Sequence, residues 1–201
     1  MVRQAKKTSV LRDRHAATTR DVILDAVVEQ LGEQGPFDFS YFEVARRSGV
    51  AVRTIYRHFP TRDDLFDALS RRVIRAVGFE YPRTRDALTT LIRGLFPAFD
   101  AHGALINAQM LGGLSRVRTR NRSKRAGVMQ EVLTAAVPHL SPERLRAAAG
   151  LFTCMISATT WQRLRDEHGL DAVQGGEVTA WAIDTLWRAL EIEDDRARKQ
   201  R

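Results

Sequence analysis

The chain has 201 residues, of which 44% are apolar and 28% are charged, a composition typical of a globular protein rather than a disordered one. No apolar run reaches the roughly 18 residues of a membrane span, and no apolar core follows the basic N-terminus as in a signal peptide. The net charge of +8 favours an anionic partner, although residues 1–80 hold 14 basic and 11 acidic residues, so the excess is not concentrated there. A single cysteine, Cys154, excludes an intrachain disulfide and is typical of the reducing cytoplasm, where we expect the protein to reside.

The first 17 residues are basic, with five lysines and arginines against Asp13 alone. We interpret residues 1–17 as a flexible N-terminal arm, and two roles stay open for it. The arm is either a solvated tail or a segment that follows the minor groove or the phosphates of DNA. A helix is then predicted from Thr18 or Thr19 to about Gly32, because one stripe of side chains recurs at helical spacing: Ile23, Ala26, Val27, Gln30 and Leu31.

Residues 40–62 predict a helix-turn-helix. Ser40 followed by Glu43 has the pattern of a capping box, in which the hydroxyl accepts from an amide at the helix start and the carboxylate accepts from the serine amide. Gly49 permits the tight turn, because glycine readily adopts a positive φ. The second helix is predicted over about residues 51–59 and ends before Pro60.

The charge pattern of this motif indicates a surface suited to DNA. Between Val44 and Arg62 there are five arginines and no acidic residue: Arg46, Arg47, Arg53, Arg57 and Arg62. A local cluster of this kind neutralises phosphates, which is the main source of affinity for nucleic acid. We expect Val50, Ile55 and Phe59 to face inward, so that Tyr56 faces outward.

A longer pattern around this motif resembles a known family. The residues that carry it are Leu31 to Gly35, Ser40, Val44 and Ala45, Gly49 and Val50, Tyr56 to Phe59, and Leu65. From about Thr18 to Arg75 the chain is similar to the DNA-binding module of the TetR family of one-component regulators. The resemblance implies a regulator that binds a palindromic operator as a homodimer and responds to a small molecule, with repression as the usual outcome.

The resemblance also implies which residues contact DNA. The helix from Val52 to His58 would lie in the major groove, and Arg62 matches a position that is usually lysine. Ser40 would reach a phosphate, although its capping role alone explains its presence. The full set implied is Ser40, Tyr41, Val52, Arg53, Thr54, Tyr56, Arg57, His58 and Arg62.

Three positions depart from the family pattern. Ala51 stands where a capping serine is common, at a cost of about 1 kcal/mol. Arg53 replaces a small residue and could contact a guanine in a bidentate manner. Phe42 replaces a polar or basic residue, and we expect it to pack against its neighbours rather than to contact DNA.

The rest of the chain predicts helices throughout, with no strand-like alternation. An amphipathic helix runs from Thr61 to about Val77 and links the DNA-binding domain, residues 18–78, to the C-terminal half of the chain. Gly78 to Pro82 marks the expected boundary, and residues 82–193 form a C-terminal helical bundle for ligand binding and dimerisation. Residues 194–201 are expected to be a charged tail. The fold class is therefore all-α.

Within the C-terminal bundle, helix boundaries are predicted from caps and breakers. Pro97 should kink or end the first helix of the bundle. A basic run, Arg116–Arg125, is interpreted either as a solvated loop and helix start or as an anion-binding surface. One long helix is expected from Ser141 to Gly169. The last helix should run from about Glu177 to Glu193, with its start uncertain because of Gly175 and Gly176.

Residues 142–191 are apolar on several faces, which predicts burial against a second copy of the chain. The last two helices also resemble the helices that pair between subunits in many family members. The expected interface residues of the homodimer are Phe152, Met155, Ile156, Thr159, Val178, Trp181, Thr185 and Leu186.

A small, largely apolar effector is expected between the helices of residues 84–137 and near Trp161. The candidate lining residues are Leu95, Phe96, Phe99, Asn107, Met110, Met129, Leu133 and Trp161. Aromatic and methionine side chains line adaptable pockets, but the same residues also describe an ordinary helical core. Both interpretations stay open at this point.

The sequence contains no pattern that indicates an enzyme active site, a cofactor-binding site or a metal site. The five histidines are scattered and lack ligand spacing, and no glycine-rich phosphate loop is present. Cys154 lies in an apolar helix and is expected to be a small buried residue rather than a nucleophile. The alternatives to a ligand-released repressor are an activator or ligand-independent regulator of the same fold, and a nonspecific architectural DNA-binding protein.

Overall fold

The computed structural model describes residues 2–34, 39–111 and 116–200, and the side chains of residues 15–33, 39–111 and 121–200. Within these ranges the chain forms ten α-helices and no strand, which confirms the predicted all-α class. The helices are α1 (Val2–Gln34), α2 (Tyr41–Ser48), α3 (Val52–His58), α4 (Arg62–Ala76), α5 (Arg85–Ala101), α6 (Gly103–Leu111), α7 (Arg116–Ala136), α8 (Pro142–Met155), α9 (Ala158–Asp166) and α10 (Ala172–Lys199).

The chain divides into two compact units. The first unit comprises Met1–Val73 and Asn107–Ser115, and the second comprises Ile74–Ile106 and Arg116–Arg201. The division therefore falls inside α4 and α6, each of which contributes residues to both units. The predicted boundary at Gly78 marks instead the end of a helix, where glycine adopts a φ of +60°. A helix breaker ends a helix, whereas packing decides where a unit ends.

The first helix is longer than predicted. Residues 1–17 were expected to be a flexible arm, but α1 is continuous from Val2. No glycine or proline occurs before Gly32 to interrupt it. The predicted stripe is confirmed, because all five of its side chains are buried in the first unit. The same core contains Val44 of α2, Ile55 of α3, Phe59 directly after α3, and Leu65 and Leu69 of α4.

In the second unit, α5 and α10 pack along one another. A Cβ atom on Gly175 would lie 3.3 Å from Phe96 Cδ2, and one on Gly176 would lie 3.3 Å from the Ile92 carbonyl oxygen. The two glycines therefore permit close approach inside α10 rather than mark its start. The helix begins at a capping box formed by Asp171 and Gln174, before the predicted start.

Two other boundaries in the second unit differ from prediction. The helix expected from Ser141 to Gly169 is divided into α8 and α9, because Ser157 adopts an extended conformation and its Oγ accepts from the Thr160 amide at 3.2 Å. Pro97 does not end α5, which continues to Ala101. Buried side chains on both sides of Pro97 hold this helix in place.

The expected charged tail is also part of α10, which continues to Lys199. Asp194 is buried, and its carboxylate accepts from the His139 amide at 2.6 Å and lies 3.0 Å from His139 Nδ1. These hydrogen bonds lower the pKa of Asp194, although its burial acts in the opposite direction. The C-terminal segment is thus tied to the loop between α7 and α8.

Candidate nucleic-acid interface

Helix α2 begins and ends with local signals. Ser40 is extended, with φ −137° and ψ 131°, and its Oγ accepts from the Phe42 amide at 3.2 Å. Gly49 ends the helix in the left-handed conformation, with φ +66°. The second half of the predicted capping box is wrong, because Glu43 accepts from Arg46 and Arg47 instead of from the Ser40 amide. Two guanidinium donors bind a carboxylate more strongly than one neutral amide does.

An ion-pair network connects α1 and α2. Arg47, whose side chain is only 11% exposed, donates to Glu43 at 2.8 Å and to Glu33 of α1 at 2.7 Å. Arg46 also pairs with Glu43, at 2.6 Å. The arginine hydrogen bonds lower the pKa of Glu43 to about 2, so the carboxylate stays charged. Two of the five arginines of the motif are thus neutralised by acids that lie before Val44.

Helix α3 is anchored by apolar side chains. Ile55 and the adjoining Phe59 are fully buried, which confirms their predicted inward orientation. Ala51 makes no side-chain hydrogen bond to the helix start, as predicted. With the buried residues on one side, the spacing of α3 places Arg53, Tyr56 and Arg57 in exposed positions.

A residue of α1 holds the end of α3. Arg20 Nη2 donates to the His58 carbonyl oxygen at 3.3 Å, and its guanidinium lies 5.0 Å from the centre of the Phe59 ring. A cation at a helix C-terminus interacts favourably with the helix dipole and with carbonyls that lack helical partners. Sequence reasoning missed Arg20, because the contact joins residues 38 positions apart and no local pattern marks it.

Two tyrosines orient the exposed side of α3. The Tyr41 and Tyr56 rings are stacked, with centroids 4.6 Å apart and an interplanar angle of 17°. Tyr41 also donates a long hydrogen bond, 3.5 Å, to the Phe59 carbonyl oxygen. Burial and the neighbouring Tyr56 raise the pKa of Tyr41 to about 12. Tyr56 is 49% exposed, which confirms its predicted outward orientation.

Arg53, Arg57 and Arg62 are exposed cationic side chains of α3 and the start of α4. Within the described residues, Arg53 and Arg57 make no ion pair. Arg62, the first residue of α4, places its guanidinium 4.8 Å from the Phe39 ring centre and 5.3 Å from that of Phe66. Thr61 caps the start of α4, since its Oγ1 accepts from the Asp64 amide at 3.1 Å.

His58 lies at the end of α3, half-buried. Its partial burial, followed by the charges of Arg20 and Arg57, lowers its pKa below the ordinary value of 6.5. The imidazole is therefore neutral at neutral pH and offers one donor and one acceptor. Because the unfolded chain binds this proton more readily, His58 destabilises the fold as the pH falls below 6.5.

The structure thus brings all nine predicted DNA-contacting residues to α3 and the ends of α2 and α4 that adjoin it. Arg53, Tyr56, Arg57 and Arg62 are exposed, whereas Ser40, Tyr41, Val52, Thr54 and His58 are half-buried. Phe42 was expected to pack but is 77% exposed. Val44 takes the inward position of α2, and Phe42, which precedes it by two residues, therefore lies on the opposite side of the helix.

The predicted pocket residues do not all belong to one unit. Leu95, Phe96, Phe99, Met129, Leu133 and Trp161 are buried in the second unit, whereas Asn107 and Met110 are half-buried and belong to the first. Phe99 connects two aromatic neighbours, with ring centroids 6.1 Å from Phe96 and 5.8 Å from Trp161. Their role in binding an effector stays a prediction.

The predicted interface residues differ in exposure. Trp181 is 67% exposed, and Val178 and Thr185 are exposed beside it on α10. Met155, Thr159 and Leu186 are half-buried, whereas Phe152 and Ile156 are buried within the unit itself. Cys154 was expected to be buried but is exposed, because Phe152 and Thr153 take the inward positions at the end of α8.

Two other kinds of site do not occur in the part of the chain that the structure describes. Across residues 15–33, 39–111 and 121–200, no group of three histidine, cysteine or acidic side chains is placed to hold a metal ion. Nor does any described helix combine the length and apolar character needed to span a bilayer.

Comparisons with known proteins agree with this geometry. Residues 23–69 match the family model of bacterial regulatory proteins of the tetR family. The chain is 27% identical over 177 residues to the HTH-type transcriptional repressor Rv3405c of Mycobacterium tuberculosis, covering 84% of this chain and 87% of that protein.

Solved structures share the fold. NalD of Pseudomonas aeruginosa, the secondary repressor of the MexAB-OprM multidrug efflux pump, is 20% identical with a TM-score of 0.65 over 83% of this chain and 95% of its own. FadR of Bacillus subtilis, in complex with stearoyl-CoA, is 17% identical with a TM-score of 0.62 over 81% and 96%. The matched segment contains α2, α3 and most of α4, the elements that form the interface described above. The helix-turn-helix segment, residues 23–69, therefore matches the tetR family of bacterial regulatory proteins, and the chain as a whole shares the fold of the solved structures named above.

Proposed function

We propose that this protein is a ligand-released repressor that binds a palindromic operator as a homodimer. The observation that carries the proposal is the register of α3. Ile55 anchors the helix in the core, while Arg53, Tyr56 and Arg57 are exposed on its other side. A helix of this kind fits the major groove of B-DNA, where an arginine can bind a guanine edge in a bidentate manner.

The nine residues of the candidate interface divide by role in this proposal. Arg53 reads a base from α3. Arg62 binds a phosphate, because its guanidinium is held beside Phe39 and Phe66 at the start of the next helix. Phosphate contacts position a protein on DNA, and contacts with base edges carry the sequence information.

Dimerisation is supported by the second unit. The exposed apolar side chains Leu151 of α8 and Val178 and Trp181 of α10 would cost solubility if they stayed in water. A two-fold axis relates identical surfaces, so the operator would be palindromic, with recognition helices about 34 Å apart or a multiple of that. Monomer in sedimentation experiments at micromolar concentration would refute this part of the proposal.

Release by an effector is supported by chain continuity. Helices α4 and α6 each extend from one unit into the other, so a displacement of either in the second unit reaches the first. FadR provides a precedent for ligand binding by a protein of this fold. By linkage, an effector that weakens operator binding must bind the DNA-free protein more tightly by the same factor.

Two arginine variants test the DNA-binding roles. Arg53→Ala should weaken operator binding and relax the preference at one base per half-site, at a cost of about 1–3 kcal/mol. Arg62→Ala should weaken binding to operator and random DNA alike and reduce the salt slope by about one. Both are measured by fluorescence anisotropy over a range of salt concentrations.

Arg188→Ala is the matched control, since it removes one positive charge from α10, where Arg188 pairs with Asp184. It should leave both affinities nearly unchanged. Equal effects of Arg53→Ala on operator and random DNA would show that Arg53 reads no base. Equal wild-type affinity for the upstream region and for random DNA would favour an architectural protein instead.

A further inference from the structure

Trp161 holds a buried indole N–H that lacks an acceptor. Its side chain is 1% exposed, and Nε1 has no hydrogen-bond partner within the described part of the chain. A buried donor without an acceptor costs free energy that a suitable partner would recover. Trp187, the other buried tryptophan, is not among these unpartnered groups and thus serves as a comparison.

The orientation of the Trp161 ring is held by contacts with two neighbours. Phe99 packs edge to face against it, with centroids 5.8 Å apart and an interplanar angle of 65°. The Arg165 guanidinium lies 4.4 Å from the ring centre. Arg165 is itself held by Asp166 at 2.7 Å. These contacts oppose rotation of the indole toward an acceptor elsewhere in the protein, so its donor is preorganised.

The surroundings of the ring specify the chemistry of a ligand. The indole nitrogen can only donate, so the ligand must present an acceptor. Phe99 and, beyond it, Phe96 are apolar, which favours a hydrocarbon body. The nearby guanidinium of Arg165 is paired with Asp166, and Asp100 also lies 3.8 Å from Arg165. Because these carboxylates already balance the positive charge of Arg165, the site does not require an anionic ligand. A neutral ligand also avoids the cost of burying a charge.

We propose that Trp161 Nε1 is the polar anchor of a ligand site in the second unit, which takes an uncharged apolar molecule with one carbonyl or ether oxygen. The ligand oxygen accepts from Nε1, and the hydrocarbon body packs against Phe99 and Phe96. This inference rests on the proposed function, because it names the chemical class of the effector. It differs from a purely hydrocarbon effector, for which the indole N–H would stay unpaired.

A pair of probes of nearly equal shape isolates this hydrogen bond. Acetophenone carries a carbonyl oxygen where cumene carries a methyl group. Acetophenone should bind the wild-type protein about tenfold more tightly than cumene, as expected for one net hydrogen bond to a buried donor. In Trp161→Phe acetophenone should lose this advantage and bind more weakly than cumene, because its carbonyl is then removed from water without a donor. Trp187→Phe, the matched control, should retain the tenfold ratio, measured by titration calorimetry.

A second measurement requires no variant at Trp161. With ¹⁵N-labelled tryptophan, the Trp161 indole resonance is identified by elimination, using Trp181→Phe and Trp187→Phe. Acetophenone should move the Trp161 indole proton downfield, as hydrogen bonding does, and cumene should not. This comparison is valid even if Trp161→Phe fails to fold.

Four outcomes would each overturn the proposal. The two probes could bind the wild type with equal affinity, or the tenfold ratio could persist in Trp161→Phe. Equally, the chemical shift of the Trp161 indole proton could stay unchanged on addition of acetophenone, or acetophenone could fail to bind at millimolar concentration. Operator release is measured separately by anisotropy. If acetophenone binds through Trp161 and the operator stays bound, the site stands and the proposed regulation fails. If acetophenone releases the operator equally from Trp161→Phe, the regulation stands and this site fails.

Discussion

The two helices of the helix-turn-helix are stabilised in different ways. Helix α2 has its own boundary signals, with the Ser40 cap at one end and the left-handed Gly49 at the other. Helix α3 has seven residues and starts at Ala51 with no side-chain cap. Its other end depends on residues outside it, since Arg20 donates to the His58 carbonyl.

The short length of α3 bears on its function. A seven-residue helix is shorter than the roughly 12–15 residues that isolated helices need in water, so packing must supply the stability of α3. The helix that presents Arg53, Tyr56 and Arg57 is therefore also the one that depends most on its neighbours. Changes outside α3 should alter DNA binding through its position.

The largest expected effect concerns the anchor of α3. Ile55→Ala removes a fully buried side chain and should lower the free energy of unfolding by about 2–5 kcal/mol. Ile74→Ala makes the same chemical change at an exposed position of α4 and should cost less than about 0.5 kcal/mol. The free energies of unfolding of the two variants are compared by urea denaturation monitored by circular dichroism. Similar losses for both would show that burial at Ile55 does not hold α3.

The next effect concerns Arg20. Arg20→Ala should weaken operator binding about tenfold, because α3 loses the donor at its C-terminus and the cation over Phe59. It should also raise the pKa of His58, since one of the charges that lower this pKa is removed. NMR titration of the histidine resonances, with His58 assigned from His58→Gln, measures the second effect.

Arg20→Lys is the control for charge, because it keeps a cation but loses the planar guanidinium. It should keep the pKa of His58 low while still weakening operator binding. A His58 pKa that is the same in the wild type and in Arg20→Ala would show that Arg20 does not act at the end of α3.

The helix caps should show opposite, smaller effects. Ser40→Ala should lower the free energy of unfolding by about 1 kcal/mol, because the Phe42 amide loses its acceptor. Ala51→Ser should raise it by up to about 1 kcal/mol by supplying the acceptor that α3 lacks. Thermal unfolding measures both. A loss of stability in Ala51→Ser would mean that neighbours, rather than the missing cap, determine how α3 starts.

The smallest effect is a pH dependence in α2. The pKa of Glu43 is lowered from an ordinary 4.5 to about 2, so its ion pairs stabilise the fold above pH 4.5 and this contribution is lost as the pH falls toward 2. Glu43→Gln should therefore be less stable than the wild type at neutral pH, and the difference should vanish near pH 2. A difference that does not change with pH would exclude the ionised carboxylate as its source.

Much of the DNA-binding module could be predicted, because its signals are local. Ser40, Gly49 and Pro60 mark turns and helix ends within a few residues, and the spacing of Ile55 and Phe59 predicted their burial, which the structure confirms. The same reasoning failed for Glu43. Its partners Arg46 and Arg47 were visible in the sequence, but which of several possible donors a carboxylate takes depends on geometry in three dimensions.

In the second unit, local signals misplaced several boundaries. Gly175 and Gly176 looked like a helix start and instead allow α10 to approach α5 closely. The charged residues after Glu193 looked like a solvated tail, yet Asp194 binds His139 from the loop between α7 and α8. In each case the deciding partner lies far away in the sequence.

The sequence by itself determined the helical class, the position of the helix-turn-helix and the residues that α3 exposes, because caps, turns and periodicity act over a few positions. Only the tertiary structure decided that Arg47 is neutralised while Arg53 and Arg57 make no ion pair with the described residues, that Arg20 holds the end of α3, and that the Trp161 indole N–H finds no acceptor among those residues. The physical reason is that ion pairing and burial depend on distances between residues that are remote in the chain, and a pattern of residue types does not contain those distances.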